Sequence, residues 1–488
     1  MNSEPYTENY AEGQEVLYAE QPAGASKGLF IWLCALVLSF CYEIPVVQLT
    51  SMDRLNPRLF DIVFLIGLFT IFPNLRGVGQ APRLFRIWAG IVTVFCICAL
   101  VWFPFFPWFY GKYCLFFALK YVEGLLSIYA VAKIQLTSNQ KRTLHNMVIV
   151  GGIIVAVYAI PEYFGRTRPQ TFAVGKEYIY KEGSLFSCLG MTYFHVSMFS
   201  SVSSFMIFAR FNACKNMAAR LKWLGLGFFV AWPAFFSGCR AGFVAWIIGW
   251  LVLLIISKVS YRRIVIGLAI PLAFFLFITL GFSGLSAIAE KSFTLQRFEF
   301  GEETGTGSSV KSRMSLEWYN LSAYRQQGIL IPFIGAGFYV APNVDETGVK
   351  KYRVGYGIHN SYLFALEQGG LVVFFLFIWF LITCWKSLKR MRLPGNNEID
   401  RAFATGMFAY LCAVIIVMQG GQIFWYGFGK VNFNTYIILL FVLAVKQSMP
   451  TEDEYYLEEG SYYAFEHDGY VDSDAPYTSG ASDGDLDM

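Results

Sequence analysis

The sequence predicts an all-α polytopic membrane protein, and three observations lead to this prediction. The mean hydropathy is +0.47 and 56% of the residues are hydrophobic, against roughly 45–50% in an average soluble domain. Charged residues make up only 15%. About twelve apolar runs are long enough, or nearly so, to cross a bilayer as helices. They are predicted at 28–49, 59–74, 87–109, 113–132, 145–161, 187–209, 221–237, 240–257, 263–281, 369–386, 403–420 and 431–447.

Acidic segments flank the predicted transmembrane domain, which spans 28–447. Residues 1–26 carry five glutamates and residues 447–488 carry twelve acids, and neither stretch contains Lys or Arg. The acidic N-terminal segment is therefore placed at 1–27 and the acidic tail at 448–488. The formal net charge of +4 thus conceals a membrane-embedded part of about +21, which suits anionic lipids and an anionic lipid-linked substrate. Because no basic stretch precedes the first apolar run, that run is expected to be a retained anchor and not a cleaved signal.

Lys and Arg are concentrated after the even-numbered runs. Loops with this bias are predicted to be cytoplasmic, and both termini are then cytoplasmic too. The loops after runs five, seven and nine face outward, and the last of them is a large polar loop at 281–358. The basic residues that set this orientation are Arg76, Arg83, Arg86, Lys133, Lys141, Arg142, Arg210, Lys215, Arg220, Lys222, Lys258, Arg262, Arg263, Lys386, Lys389, Arg390, Arg392 and Arg401.

The cysteines and the tail have plain structural interpretations. The ten cysteines lie mostly inside apolar runs and form no zinc spacing, so they are expected to pack as small apolar side chains. The tail is rich in acids and tyrosines and has too little aliphatic content to fold alone. It is predicted to be a disordered solubilising segment. The alternative is a tail that is phosphorylated on its tyrosines or that docks a cytoplasmic partner.

His359 is the strongest candidate for chemistry because histidines are few. Of the four, His145 is predicted in a cytoplasmic loop, His195 within the sixth helix and His467 in the tail. Only His359 is expected at the outer membrane face beside the large loop. Histidine suits general acid–base work near neutrality, and a helix N-terminus disfavours the protonated ring. The alternative is that His359-Asn360-Ser361 only caps a helix.

Two arginines are candidates for binding an anion. Arg240 interrupts an apolar stretch at the outer face, where an arginine is costly unless it is paired or faces a polar cavity. Its planar fork suits a phosphate, although it could also be a snorkelling side chain. Arg313 begins a helix predicted over 312–327, where its side chain and exposed backbone N–H groups could meet an anion. Arg297, Lys311 and Arg325 are lesser alternatives.

Charged residues inside the apolar runs need partners. Lys120 and Glu123 are three apart on the fourth helix and are expected to neutralise each other. A transport function would instead use them, with Glu43 and Asp61, as a substrate path. The sequence contains no metal-ligand cluster on the outer face, no phosphate-binding loop and no dinucleotide fingerprint. No cofactor, no metal and no nucleic-acid partner is therefore predicted.

Four short motifs in order resemble the O-antigen ligase and polymerase family of bacterial envelopes. They are Ser237-Gly238-Cys239-Arg240-Ala241-Gly242, then Ser312-Arg313 with Glu317-Trp318, then Ile334-Gly335-Ala336-Gly337-Phe338, then His359-Asn360-Ser361-Tyr362-Leu363 with Glu367-Gln368-Gly369-Gly370. The resemblance covers roughly 225–380. Gly238-Cys239 before Arg240 and Ala241 after it depart from the family's usual Ser-Arg-Gly turn, and the acidic tail is not a family feature.

The resemblance implies a metal-independent, inverting glycosyltransferase of the bacterial inner membrane. The donor would be a glycan on undecaprenyl pyrophosphate, and the acceptor a lipid A core sugar (ligase) or another lipid-linked glycan (polymerase), a choice that stays open. His359 would act as base, and Arg240 and Arg313 would bind the pyrophosphate. A small-anion, bicarbonate-like or other membrane transporter is the alternative function. The supporting residues implied by the motifs are Asn360, Gly335, Gly337 and Glu367.

Overall fold

The computed structural model describes about half of the chain. The described residues are 24–44, 46, 56–72, 81–105, 108–163, 189, 191, 193–214, 216–237, 239–257, 333, 335, 340–344, 350–354, 360–419, 424–425 and 432–448. The apolar run at 263–281, the helix predicted over 312–327, most of the large loop at 281–358 and nearly all of the tail lie outside these ranges.

Helices dominate the described residues. In chain order they are α1 (Lys27–Ser39), α2 (Leu59–Thr70), α3 (Arg83–Trp102), α4 (Trp108–Lys133), α5 (Ser138–Tyr163), α6 (Tyr193–Ala213), α7 (Met217–Phe236), α8 (Arg240–Ile256), α9 (Ser361–Met391), α10 (Glu398–Val417) and α11 (Phe433–Val445). A 3₁₀ turn (Phe103–Phe105) follows α3. The predicted loop contributes an antiparallel hairpin that the sequence analysis did not anticipate, β1 (Val340–Val344) with β2 (Lys350–Val354), in which Val340 is opposite Val354.

The described architecture is that of an α-helical membrane protein. Five helices are long and apolar enough to cross a membrane, namely Arg83–Val101, Leu115–Lys133, Ser138–Glu162, Ser361–Met391 and Glu398–Val417. Four further apolar helices are shorter. Eleven of the twelve predicted runs coincide with a described helix. The count of twelve spans and the outward orientation of the large loop stay predictions.

Several predicted boundaries are wrong, among them the end of the first run, whose helix stops at Ser39 and not at 49. Two late predicted starts have a common cause. Helix α5 begins at Ser138 and not at 145, so His145 is not in a loop: it lies inside the helix and is fully buried. Helix α9 begins at Ser361, eight residues before the predicted start at 369. Polar residues at a helix end weaken the apolar pattern, so a hydropathy boundary falls short of the first helical turn.

One end of the bundle gathers the polar starts of α5 and α10 and the last turn of α11. Lys141 on α5 pairs with Asp400 on α10, with 2.5 Å between Nζ and Oδ1. Lys446, just past α11, donates to carbonyl groups at the end of α4, including that of Ala132 at 3.0 Å. On α6, Arg210 donates to the carbonyl of Arg142 at 3.3 Å. We call this the basic end.

The opposite end gathers the start of α9 and the end of α10. The backbone N–H of Ser361 donates to the carbonyl of Met418 at 2.9 Å. Trp425, fully buried, donates through its indole to the carbonyl of Ser361 at 2.7 Å. His195, near the start of α6, packs its ring 5.0 Å from that of Phe433 at the start of α11. We call this the site end, because the described residues of the predicted site lie here.

Candidate functional site

The start of α9 is capped by Asn360. The Oδ1 of Asn360 accepts hydrogen bonds from the backbone N–H groups of Tyr362 at 2.9 Å and Leu363 at 3.2 Å. A side-chain cap of this kind satisfies donors that the first helical turn leaves open. The expectation that the segment His359-Asn360-Ser361 caps a helix is therefore confirmed for Asn360. His359 directly precedes the cap in the sequence and lies outside the described residues.

The first turn of α9 is fixed on three sides. Besides the backbone bond from Ser361 to Met418 and the bond from Trp425, the hydroxyl of Tyr362 donates to the carbonyl of Ile415 at 3.0 Å. The ring of Phe364 stacks on that of Trp425, with centroids 5.6 Å apart. Aromatic packing and hydrogen bonds act together here, so the turn that follows His359 in the sequence is a rigid support.

A pair of glycines joins the predicted loop to α9. Gly370 interrupts α9 with φ 69° and ψ −172°, and Gly335 has φ 74°. A Cβ on Gly370 would lie 2.2 Å from the carbonyl oxygen of Phe333, and one on Gly335 would lie 2.4 Å from that of Gln368. The two backbones are thus in direct contact, and both glycines adopt a conformation that other residues rarely accept. We call this contact the glycine clasp.

Two polar side chains lie immediately beside the glycine clasp. Glu367 is 5% exposed and Gln368 is 3% exposed. The Oε1 atom of Gln368 has no hydrogen-bond partner among the described residues. Buried polar groups of this kind are uncommon, and they concentrate where a protein has a functional reason to keep them. Sequence analysis named Glu367 and missed Gln368 and Gly370, although all three stand in one quoted motif.

Arg240 occupies the first position of α8. The turn before it is as predicted, since α7 ends at Phe236 and α8 begins at Arg240. Cys239 caps the helix weakly, its Sγ accepting from the N–H of Gly242 at 3.3 Å. The side chain of Arg240 is outside the described part of the structure, but its backbone stands at a helix N-terminus, where an anion is favoured.

The start of α8 lies directly against a serine-rich stretch of α6. A Cβ on Gly242 would lie 1.6 Å from the Oγ of Ser197. Ser197 and Ser200 are fully buried, and neither hydroxyl has a hydrogen-bond partner among the described residues. By contrast, the Oγ of Ser204 accepts from the indole of Trp246 at 3.1 Å. Sequence analysis missed these serines because buried helical serines are common and carry no spacing signal.

His195 lies at the site end, near the start of α6. It is 8% exposed and sits between the rings of Phe194, at 5.7 Å, and Phe433, at 5.0 Å. Such packing suits a structural aromatic contact. Its location on α6 is as predicted.

The charges inside the apolar helices are paired. Lys120 contacts Glu123 at 2.7 Å, as its spacing predicts, and also Asp61 of α2 at 2.6 Å. The guanidinium of Arg58 contacts Glu43 at 2.8 Å, and both side chains are 3% exposed. The backbone N–H of Arg58 donates to Asp61 at 2.8 Å, so the five residues form one chain of contacts. Together they join the end of α1, the start of α2 and the middle of α4.

The described structure brings some of the predicted site residues together. Gly335, Asn360 and Glu367 all belong to the start of α9 or contact it, and Arg240 begins a helix that packs on α6 and α10. Arg313, Gly337 and His359 lie outside the described residues, so their positions stay predictions. Comparison with protein families and with curated proteins finds no match to this chain.

Proposed function

We propose that this protein is an integral membrane glycosyltransferase that moves a glycan from undecaprenyl pyrophosphate to an acceptor hydroxyl. It would act at the periplasmic face of a bacterial inner membrane, with both termini cytoplasmic. The acceptor is a lipid A core sugar if the protein is an O-antigen ligase, or another lipid-linked glycan if it is an O-antigen or exopolysaccharide polymerase.

The observation that carries the proposal is the construction of the start of α9. Asn360 supplies the cap, so His359 is not required for that task. The helix dipole there disfavours an imidazolium, which favours a neutral ring able to accept a proton. Hydrogen bonds and stacked rings fix this turn, as a catalytic group requires of its support.

The proposed reaction needs one base and a set of cations. The imidazole of His359 takes the proton of the acceptor hydroxyl, whose oxygen attacks the anomeric carbon of the donor sugar. The bond from that carbon to the pyrophosphate oxygen breaks with inversion, and the pyrophosphate leaves with the electron pair. Arg240 and Arg313 stabilise the charge that develops on it. Because pyrophosphate is a good leaving group, no general acid is needed.

The first test is a gel profile of surface glycans and lipid-linked intermediates. A deletion strain would carry wild type, His359→Ala, or the matched control Asn360→Ser, which retains a capping side chain. We expect His359→Ala to match the empty deletion strain and Asn360→Ser to approach wild type, at equal protein levels. Long chains held on the carrier lipid would identify a ligase, and single repeats a polymerase. Full activity of His359→Ala would overturn the proposal.

Two further measurements separate this proposal from its alternatives. A transporter that used the intramembrane charges should be impaired by Glu123→Gln, whereas the enzyme should keep its glycan profile if that residue only pairs with Lys120. The proposed reaction is also metal-independent. Transfer by the purified protein should continue in excess chelator, and loss of transfer with rescue by one divalent ion would contradict this expectation.

A further inference from the structure

The last described residues of the chain are fixed at the basic end. Asp400, fully buried and paired with Lys141, accepts hydrogen bonds from the backbone N–H of Ser448 at 2.8 Å and from its hydroxyl at 3.0 Å. The hydroxyl of Ser448 is also 3.3 Å from that of Ser138. The chain therefore leaves the bundle at a defined point, and the tail begins there.

The surface around this point is strongly basic. Among the described residues of this end, the only acids are Glu398 and Asp400, and Asp400 is already paired. A surface of this kind attracts polyanions over a distance of about 10 Å at ordinary salt. Its exposed bases are Lys27, Arg83, Arg86, Arg142, Lys222, Lys386, Lys389 and Arg390.

The segment that follows, 449–488, has the opposite charge. It carries twelve acids and no Lys or Arg, and it contains six tyrosines. A Gly-rich chain of this length would have an r.m.s. end-to-end distance of roughly 32–38 Å, and repulsion between like charges would extend an acidic chain further. Even the shorter distance spans about three or four helices at their usual spacing of about 8–10 Å. Tethering at Ser448 also gives an effective concentration on the order of millimolar.

Aromatic rings already pair with bases at this end. The guanidinium of Arg392 lies 4.5 Å from the ring centre of Phe408, and that of Arg210 lies 5.5 Å from the ring of Trp223. The tyrosines of the tail could add contacts of the same kind to exposed arginines. The negative charge and the tyrosines of 449–488 are therefore complementary to the exposed Lys and Arg of this surface.

We propose that residues 449–488 dock on the basic end of their own chain and occupy the exposed bases of α5, α7 and α9. Anionic lipid headgroups are the competing ligand for these bases, and the tethered tail excludes them. This inference does not depend on the proposed glycosyltransferase activity, and it gives the acidic tail a partner within the same molecule.

The experiment is site-specific photocross-linking in the full-length protein in native membranes. Tyr463 is replaced by benzoylphenylalanine, and the cross-linked peptides are mapped by mass spectrometry. We expect cross-links within the chain to the exposed ends of α5, α7 or α9. In 1 M salt, where the Debye length is about 3 Å, their yield should fall roughly ten-fold.

Charge variants decide whether the docking is electrostatic. Neutralising Lys386→Gln, Lys389→Gln and Arg390→Gln should lower the cross-link yield to α9, while the charge-preserving set Lys386→Arg, Lys389→Arg and Arg390→Lys should retain it. If the neutralised set fails to fold, Glu458→Gln with Glu459→Gln tests the same contact from the tail. Equal yields in all variants, or cross-links only to lipid or to other proteins, would overturn the proposal.

Discussion

The two ends of the bundle differ in how their buried polar groups are partnered. At the basic end the buried charges of Lys141 and Asp400 meet each other, and Lys446 donates to the carbonyls that end α4. Among the described residues there, the Nε atoms of Arg392 and Arg401 and the Oδ1 of Asp400 lack a hydrogen-bond partner, and that Oδ1 lies 2.5 Å from the Nζ of Lys141. These contacts join four helices, α4, α5, α10 and α11, through paired or hydrogen-bonded charges, so we expect them to stabilise this end.

The site end keeps polar groups that no described residue satisfies. The hydroxyls of Ser197 and Ser200, the Oε1 of Gln368 and both polar atoms of Asn434 are buried without a hydrogen-bond partner in the described residues. The two glycines of the glycine clasp hold left-handed backbone conformations at the same end. Unsatisfied groups and unusual backbone together are typical of functional sites, where stability is given up for chemistry. The contrast adds support to the proposal of a functional site at this end.

The largest expected effect comes from breaking the Lys141–Asp400 pair. Asp400→Ala leaves a cation without its partner in a site where both side chains are at most 1% exposed. Loss of one member of a buried pair costs about 3–5 kcal/mol. We expect a large fall in the thermal unfolding midpoint of the detergent-solubilised protein.

The control for this prediction is the double variant Lys141→Met with Asp400→Leu, which removes both charges and should recover most of the loss. An Asp400→Ala protein as stable as wild type would show that the pair does not hold the basic end together.

Alanine in the glycine clasp should affect activity more than overall stability. Gly335→Ala and Gly370→Ala each force a Cβ to within 2.4 Å of backbone atoms and impose a left-handed conformation that costs roughly 1–2 kcal/mol. We expect glycan transfer to be lost while the helical content measured by circular dichroism is retained. The control is Gly225→Ala, where an added Cβ meets nothing within 4 Å. Normal transfer by both clasp variants would remove the glycine clasp from the site.

Ser200 and Ser204 lie one turn apart on α6. They allow a hydroxyl without a hydrogen-bond partner among the described residues to be compared with one that has a partner. Ser204→Ala leaves the indole N–H of Trp246 without its acceptor and should destabilise the protein by about 1–2 kcal/mol. Ser200→Ala removes a hydroxyl with no partner among the described residues, so its unfolding midpoint should match wild type or exceed it. Equal losses in the two variants would mean that Ser200 has a partner elsewhere in the chain.

A pH dependence of stability is also expected at the basic end. Burial, and then the nearby charge of Lys141, lower the pKa of Lys446 to about 8. The unfolded chain holds this proton up to its ordinary pKa of about 10.4. Between these values the unfolded state binds more protons, so stability should rise as the pH rises above about 8. In Lys446→Met, the thermal unfolding midpoint should increase less between pH 7 and pH 10 than it does in wild type. An equal increase in the two proteins would contradict the lowered pKa of Lys446.

Local features were predictable because they depend on residues close in sequence. The pairing of Lys120 with Glu123 follows from their spacing on one helix, and the turn before Arg240 follows from the small residues between two apolar runs. The contact of Lys120 with Asp61 could not be predicted, because fifty-nine residues separate them. The prediction of a loop at His145 is wrong because polar residues at the start of α5 weaken the apolar pattern there. Only its partners on α6, the carbonyl of Met206 and the side chain of Arg210, show why a polar ring lies inside the bundle.

The sequence by itself determined that this is a helical membrane protein, where eleven of its helices lie to within about three turns, and that basic residues cluster at alternate helix ends. Hydropathy and capping are local properties, and each acts on a few neighbouring residues. Only the tertiary structure decided that Gly335 meets Gly370. It also decided that Ser448 is held by Asp400 where the acidic tail begins. Contacts between distant segments depend on how whole helices pack, and no local pattern in the chain records that packing.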